Sequence, residues 1–282
     1  MLTLQQALQQ GSKLLEDGAI AAPRLTAEVL LCHALGEQRP YLYAHATDPL
    51  TEVAWIHYGR YLHQRLEGRP TQYITRTQEF YGRPFRVSPD VLIPRPETEH
   101  VIETALARVA DLPAGAPARA VDVGCGSGAI GVTWQLETGM ATFATDISAP
   151  AIGVARGNAA NLGAGVGFAV CDLAAALAPA SFPLILSNPP YIPEPEGPHL
   201  QREVRDWEPH VALFGGPTGV EIYVRLIAEA ARVLVPGGRL VMEIGYQARD
   251  RVLAMLGDTL WREAEVVHDL AGWPRVIAAW RR

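Results

Sequence analysis

Apolar positions recur at helical spacing from the start of the chain. Leu4, Ala7, Leu8, Leu14 and Leu15 share roughly one face over 3–17, and Gly18 supplies a stop. Segment 23–36 opens on proline and closes on glycine, the asymmetry expected of a helix. A third helix is predicted over 51–67, capped by Thr51, with Val53, Ile56, Tyr61, Leu62 and Leu66 as its apolar positions. Residues 1–71 therefore read as a small helical bundle. The pattern changes over 72–93, where β-branched and aromatic residues flank Gly-Arg-Pro; that predicts a β-hairpin linker. A helix from Glu97 to Val109 and a Pro/Gly/Ala loop at 112–119 follow.

Beyond that loop the period alternates. Strand ARAVDVG precedes a helix from Ala129, and strand TFATDI precedes a helix over 149–161. Strands VGFAV and LILSNPP, a helix at 219–234, strand GRLVMEI, a helix at 247–256 and strands near 264–268 and 275–280 complete the series. Alternating strands and helices at this spacing predict an α/β domain over 94–282, a doubly wound sheet with helices on both faces. No internal repeat or low-complexity tract is visible.

Composition narrows the function classes. A net charge of −6, with Lys13 the only lysine, disfavours non-specific nucleic-acid binding, which rests on neutralising phosphates. Arg60, Arg65 and Arg69 read as a solvated face rather than a recognition patch. Cys32, Cys125 and Cys171 are unpaired in number and far apart, which fits neither a disulfide framework nor a zinc site. The histidines show no metal-ligand spacing, so no metal is expected. No window approaches a membrane span, and the N-terminus lacks a signal-peptide pattern. The expectation is a cytoplasmic, monomeric protein.

Two segments carry chemistry. In VDVGCGSGAIG (121–131), Gly124, Gly126 and Gly128 join a strand to a helix, permitting a tight turn and close backbone approach to a ligand. The helix that follows would present unpaired N–H groups to it. Asp146 ends the next strand, where an acid can accept from ribose hydroxyls. Alone this signals a nucleoside-containing cofactor, NAD included, or a merely structural turn. The G-x-G-x-G spacing, and Asp172 placed to meet an adenine amino group, favour S-adenosylmethionine. Asp172 as a plain helix cap is the competing reading. Cys125 is either a reactive thiol or, as we favour, a backbone contributor.

The second segment is LILSNPPYIP (184–193). Asn188-Pro189-Pro190-Tyr191 lies where a strand ends, and two prolines make the turn stiff. The side-chain oxygen of Asn188 and the carbonyl of Pro190 can each take one N–H of a planar –NH2 group, with Tyr191 stacked on its flat face. Such a nitrogen is a weak nucleophile because its lone pair is delocalised. Holding it in line with a sulfonium methyl group supplies the positioning that the reaction needs.

These residues resemble the class I methyltransferases that modify exocyclic or amide nitrogens. Segments 64–99, 18–36 and 207–223 are similar more specifically to the release-factor glutamine methyltransferases, the HemK or PrmC family. The resemblance implies a Rossmann-like seven-stranded class I methyltransferase sheet, a small N-terminal helical domain that recognises the substrate, and a connecting β-hairpin. It implies that S-adenosyl-L-methionine is converted to S-adenosyl-L-homocysteine. The acceptor would be the glutamine of the Gly-Gly-Gln loop in bacterial class I peptide chain release factors. Carried over by position, Gly124, Cys125, Gly126, Ser127, Gly128, Asp146, Ile147, Asp172, Leu173 and Asn188 would contact the cofactor. Asn188, Pro189, Pro190, Tyr191 and Arg95 would hold the glutamine, with Pro94, Glu97 and Thr98 over the mouth of the site. Arg95 and Glu97 are alternatively a structural ion pair, the reading we favour.

Two positions depart from the family pattern: Arg76 where glycine is frequent, and Leu173 where some relatives carry an aromatic residue. Three rival readings remain. One is a ribosomal-protein glutamine methyltransferase, whose junction typically resembles Pro-Arg-Ser-Pro rather than the PRPETE found at 94–99. Another is methylation of an exocyclic amino group on a flipped or unpaired base. The last is a cofactor-binding scaffold without activity.

Overall fold

A computed structural model describes residues 2–257 and 259–282. The chain opens with α1 (Leu4–Asp17), α2 (Pro23–Leu35), α3 (Arg39–Ala44), α4 (Glu52–Leu66) and α5 (Thr71–Thr75). The hairpin β1 (Thr77–Phe80) and β2 (Arg83–Arg86) and helix α6 (Glu99–Leu106) follow. Then come β3 (Arg119–Val123), α7 (Ala129–Thr138), β4 (Ala141–Asp146), α8 (Ala149–Leu162), β5 (Val166–Val170) and β6 (Phe182–Ser187). The remainder comprises β7 (Ile192–Pro193), α9 (Arg202–Trp207), α10 (His210–Leu213), β8 (Phe214–Gly216), α11 (Glu221–Val233), β9 (Leu234–Glu243), α12 (Arg249–Met255), β10 (Trp261–His268) and β11 (Pro274–Arg281). Two compact units result: residues 1–77 with 201–207, and residues 78–200 with 208–282.

The first unit is helical. Thr3 caps α1 through a capping box with Gln6, and Leu4, Ala7, Leu8 and Leu15 are buried. Leu14, expected on that face, is half exposed. The third predicted helix, α4, is turned differently from the expectation. Val53 and Ile56 are 66% and 61% exposed, whereas Ala54, Tyr58, Leu62 and Arg65 are buried. Apolar residues occur on both sides of this helix, so spacing alone did not select the face. Tyr58 decides it: its ring packs so close to α1 that a Cβ on Gly11 would sit 1.9 Å from the hydroxyl oxygen. Arg65 is correspondingly not a solvated charge. It pairs with Glu203 of α9 and donates to the Arg69 carbonyl, while Arg69 lies over the Trp207 ring. Only Arg60 of the three arginines is exposed as expected.

The second unit holds a seven-stranded sheet in the order β10-β11-β9-β6-β3-β4-β5. The five strands from β9 to β5 are parallel; β11 and β10 run antiparallel at one edge. Strand residues alternate between two cores. Val121, Val123, Ile185, Leu240 and Met242 pack with α11 residues such as Tyr223 and Leu226. Ala120, Leu184, Leu186 and Val241 pack with Val101 and Ile102 of α6, Trp134 of α7 and the hairpin residues Phe80 and Phe85. The hairpin turns at Tyr81 and Gly82, both at positive φ, the geometry of a tight two-residue connection. Arg76 lies outside that turn. It ends α5 in the left-handed region at φ +62°, which is why glycine suits the position. Among the described residues, no helix is long and apolar enough to cross a membrane.

Candidate active site

Strand order reverses beside β3, with β4 on one side and β6 on the other. Such switch points leave a crevice at the carboxyl ends of the strands. A cavity opens there. Gly124, Cys125, Gly126 and Ser127 line it from the turn after β3, Asp146 and Ile147 from the end of β4, Asp172 and Leu173 from beyond β5, and Asn188 and Pro190 from the end of β6. Residues 90–92, Pro94 and Thr98 form another wall, and Pro209, Val211, Ala212, Ile222 and Arg225 a third. Gly128, Pro189, Tyr191, Arg95 and Glu97 are not part of the lining.

The glycine turn works by close approach more than by free donors. Gly124 and Gly126 stand at φ +76° and +53°, and a Cβ on either would project into open space. Gly128, at φ +81°, faces inward instead; its Cβ would lie 3.1 Å from that of Ala155. Several N–H groups expected to be unpaired are already used. Gly126 donates to Asp146 Oδ2 at 2.8 Å, and Gly128 to the Cys125 carbonyl at 2.8 Å. Gly131, in the first turn of α7, donates to Asp122 Oδ2 at 2.8 Å. Asp122 is fully buried beneath the turn. Burial is the main cause that pushes its carboxyl up to about 7, against the Gly131 hydrogen bond, which lowers it. Burial likewise pushes the Cys125 thiol up, so the side chain is no activated nucleophile. Asp146 also accepts from Ser148 N at 2.8 Å, leaving further lone pairs toward the cavity. Asp172 pairs with Arg225 at the cavity rim, and no helix follows it for a cap to serve. Leu173 is held at φ +47° while its carbonyl accepts from Thr145 Oγ1 at 2.8 Å.

The Asn-Pro-Pro-Tyr turn is anchored from behind. Asn188 Nδ2 donates to Thr98 Oγ1 at 3.0 Å, and Thr98 Oγ1 donates to Glu243 Oε2 at 2.7 Å. The Tyr191 hydroxyl donates to the other carboxylate oxygen, Glu243 Oε1, at 3.3 Å. The Tyr191 ring packs against Gly245, where a Cβ would come 3.0 Å from Cδ2. The backbone at Gly215 closely approaches the Pro190 carbonyl oxygen, to which a Cβ would come within 2.7 Å. Arg95 does not pair with Glu97. It pairs with the buried Glu208, which also accepts from Ile93 N at 3.1 Å, so this carboxylate draws the guanidinium away from its exposed neighbour.

Comparison with known proteins follows the same division. Residues 6–75 match the PrmC N-terminal domain, and residues 104–199 match the methyltransferase small domain. A release factor glutamine methyltransferase of Koribacter versatilis is 45% identical over 98% of this chain and 98% of its own. Another, from Nitratidesulfovibrio vulgaris, is 43% identical over 99% and 95%. The chain belongs to the release factor glutamine methyltransferase family. A crystal structure of a methyltransferase from Pyrococcus furiosus shares the fold, with a TM-score of 0.52 at 16% identity over 71% of this chain and 90% of that one.

Several neighbours of the candidate site are not evident from local sequence. Asn158 of α8 donates to the Ser127 carbonyl and clamps Arg86 of β2 by both backbone groups, tying the hairpin to the glycine turn. Asp122 and Glu243 sit on strands that read as apolar, and an acid in a doubly buried strand was itself a signal. The sequence places Thr98 at the mouth of the site but does not link it to Asn188. Only the β6–β9 pairing, which sets Ser187 opposite Met242, places Asn188 beside Glu243.

Proposed function

We propose that this protein transfers a methyl group from S-adenosyl-L-methionine to the side-chain amide nitrogen of the glutamine in the Gly-Gly-Gln loop of class I release factors. The products would be N5-methylglutamine, S-adenosyl-L-homocysteine and a proton, which leaves the nitrogen once it is alkylated. The observation that carries this reading is the fixed orientation of Asn188: with Nδ2 committed to Thr98, its Oδ1 is left to accept from a ligand. The names of the relatives supply the acceptor.

The residues present fit the cofactor. The open space above Gly124 and Gly126 is a cradle that side chains would fill, and Asp146 and Asp172 stand where hydroxyl and amino groups need acceptors. Ile147 and Leu173 offer aliphatic faces to a flat base. When bound, the sulfonium supplies an electrophilic methyl group. Asn188 Oδ1 would take one amide N–H of the substrate. The Pro190 carbonyl, which keeps a lone pair besides its contact with Gly215, would take the other. Two acceptors orient the nitrogen and favour loss of its conjugation. Tyr191 and Pro189 act as the frame of this turn, and Arg95 holds the wall at 93–98 through Glu208. Residues 1–71 are assigned to recognition of the protein substrate, which needs no nucleic-acid or membrane surface.

The test is methyl transfer from labelled S-adenosylmethionine. Acceptors are a purified release factor, the same factor with its loop glutamine changed to alanine, a large-subunit ribosomal-protein substrate, and unmodified DNA and RNA. Label on the intact factor alone supports the reading. Label on nucleic acid or ribosomal protein instead overturns the substrate while leaving fold and family in place.

A further inference from the structure

Behind the Asn-Pro-Pro-Tyr turn lies a buried carboxylate that the chemistry above does not use. Glu243 is 1% exposed, and both its oxygens accept hydrogen bonds, from Thr98 and from Tyr191. Thr98 is also buried and has a single hydroxyl proton. While that proton points to Glu243, Thr98 can only accept from Asn188, so Nδ2 faces Thr98 and Oδ1 faces the cavity. We propose that Glu243 is a positioning residue which, through Thr98, sets which end of the Asn188 amide faces the methyl acceptor. The inference rests on the glutamine reading of the site but concerns a separable property, the orientation of one side chain.

A protonated Glu243 reverses the relay. Its O–H can donate to Thr98, whose own proton is then free for Asn188 Oδ1. The asparagine can turn over and present N–H groups to a substrate that also offers N–H groups, and the match is lost. Burial raises the proton affinity of Glu243 above the usual carboxylate range. The Thr98 and Tyr191 hydrogen bonds and the Arg275 charge lower it, and Glu97 raises it. Tyr223, whose hydroxyl donates to the Glu243 carbonyl, and Arg95 beside Tyr191 complete the charged and titratable surroundings. The ionised form is therefore the active one, and turnover falls as pH drops through the raised value.

The experiment uses the full chain labelled with [15N]asparagine. The sequence has only Asn158, Asn161 and Asn188, so the side-chain amide spectrum is simple, and Asn188→Ala identifies the signal. Across the pH range over which the protein stays folded, the Asn188 amide should follow one titration in the wild type, displaced upward from an ordinary carboxylate's. Thr98→Val and Glu243→Gln should largely remove it, and Thr98→Ser should restore it. In turnover, Thr98→Val should lower kcat about tenfold, the worth of one buried hydrogen bond, with KM for the cofactor little changed. Added to Asn188→Ala it should do nothing more. A titration that persists in Thr98→Val, its absence from the wild type, or independent multiplying effects in the double variant would overturn the relay. Should the wild type fail to methylate a release factor, the substrate reading falls, and the amide spectra still decide the relay.

Discussion

Asp122 offers a thermodynamic prediction independent of catalysis. Its carboxyl has an ordinary value of 3.8 and is pushed up to about 7 in the fold, chiefly by burial. The folded state thus binds this proton more tightly than the unfolded chain. The associated stability is complete at low pH and is lost as pH rises toward 7. A shift of this size costs the fold about 4 kcal/mol above both values, and about 3 kcal/mol of that accrues between pH 5 and pH 8. Asp122→Asn removes the proton but not the hydrogen bond, because the amide oxygen can still accept from Gly131 N–H. Its amide nitrogen would take the place of Oδ1, which has no partner among the described residues, at a pH-independent cost of roughly 1–3 kcal/mol. The discriminating quantity is therefore the slope rather than the absolute stability. Urea unfolding of both proteins from pH 5 to pH 8 measures it. Glu243, also raised, contributes equally to both and cancels in the difference. The variant should gain about 3 kcal/mol on the wild type across the range. Parallel pH profiles would show that the buried carboxyl titrates normally, and the account of the strand–helix junction would fail.

Asn188→Ala should reduce kcat by about 10²–10³ while cofactor affinity survives. A labelled-methyl assay returning near-normal turnover would remove Asn188 from the transfer step. Gly126→Ala places a Cβ in the open cradle at φ +53°. It should cost the fold only about 1–2 kcal/mol but weaken cofactor binding severely, which calorimetry with S-adenosylhomocysteine can separate from thermal stability. Arg76→Gly should stabilise the protein by up to about 1 kcal/mol in urea unfolding, since an exposed arginine now occupies a left-handed helix end.

Local signals in the sequence located the cavity well. The glycine turn, Asp146 and Asn188 each sit at a strand end, and strand ends can be read from an apolar run followed by Gly, Asp or Pro. The α4 face could not be read in the same way, because Val53 and Ile56 fit a helical stripe as well as Ala54, Tyr58 and Leu62 do. Neither could the partner of Arg95. Glu97 is two residues away and Glu208 is 113, but burial and the Ile93 N–H make the distant carboxylate the one that is preorganised.

The acids on the sheet show what local sequence leaves undetermined. A strand residue's face follows from alternation, yet its partner depends on strand order. Asp122 shares the face of Ala120 and meets α7; Glu243 shares the face of Val241 and meets the segment leading into α6. That shared face is apolar, so an acid persists there only where a donor meets it. In each case that donor stands directly behind a residue lining the cavity: Gly131 behind the glycine turn, Thr98 behind Asn188. The two loops that line the cavity are therefore held by buried carboxylates on β3 and β9, the strands that flank β6. Their geometry depends on hydrogen bonds that survive only if strands β3, β6 and β9 keep their register. A one-residue slip of β9 would turn Glu243 to the opposite face and release Thr98 and Asn188 together.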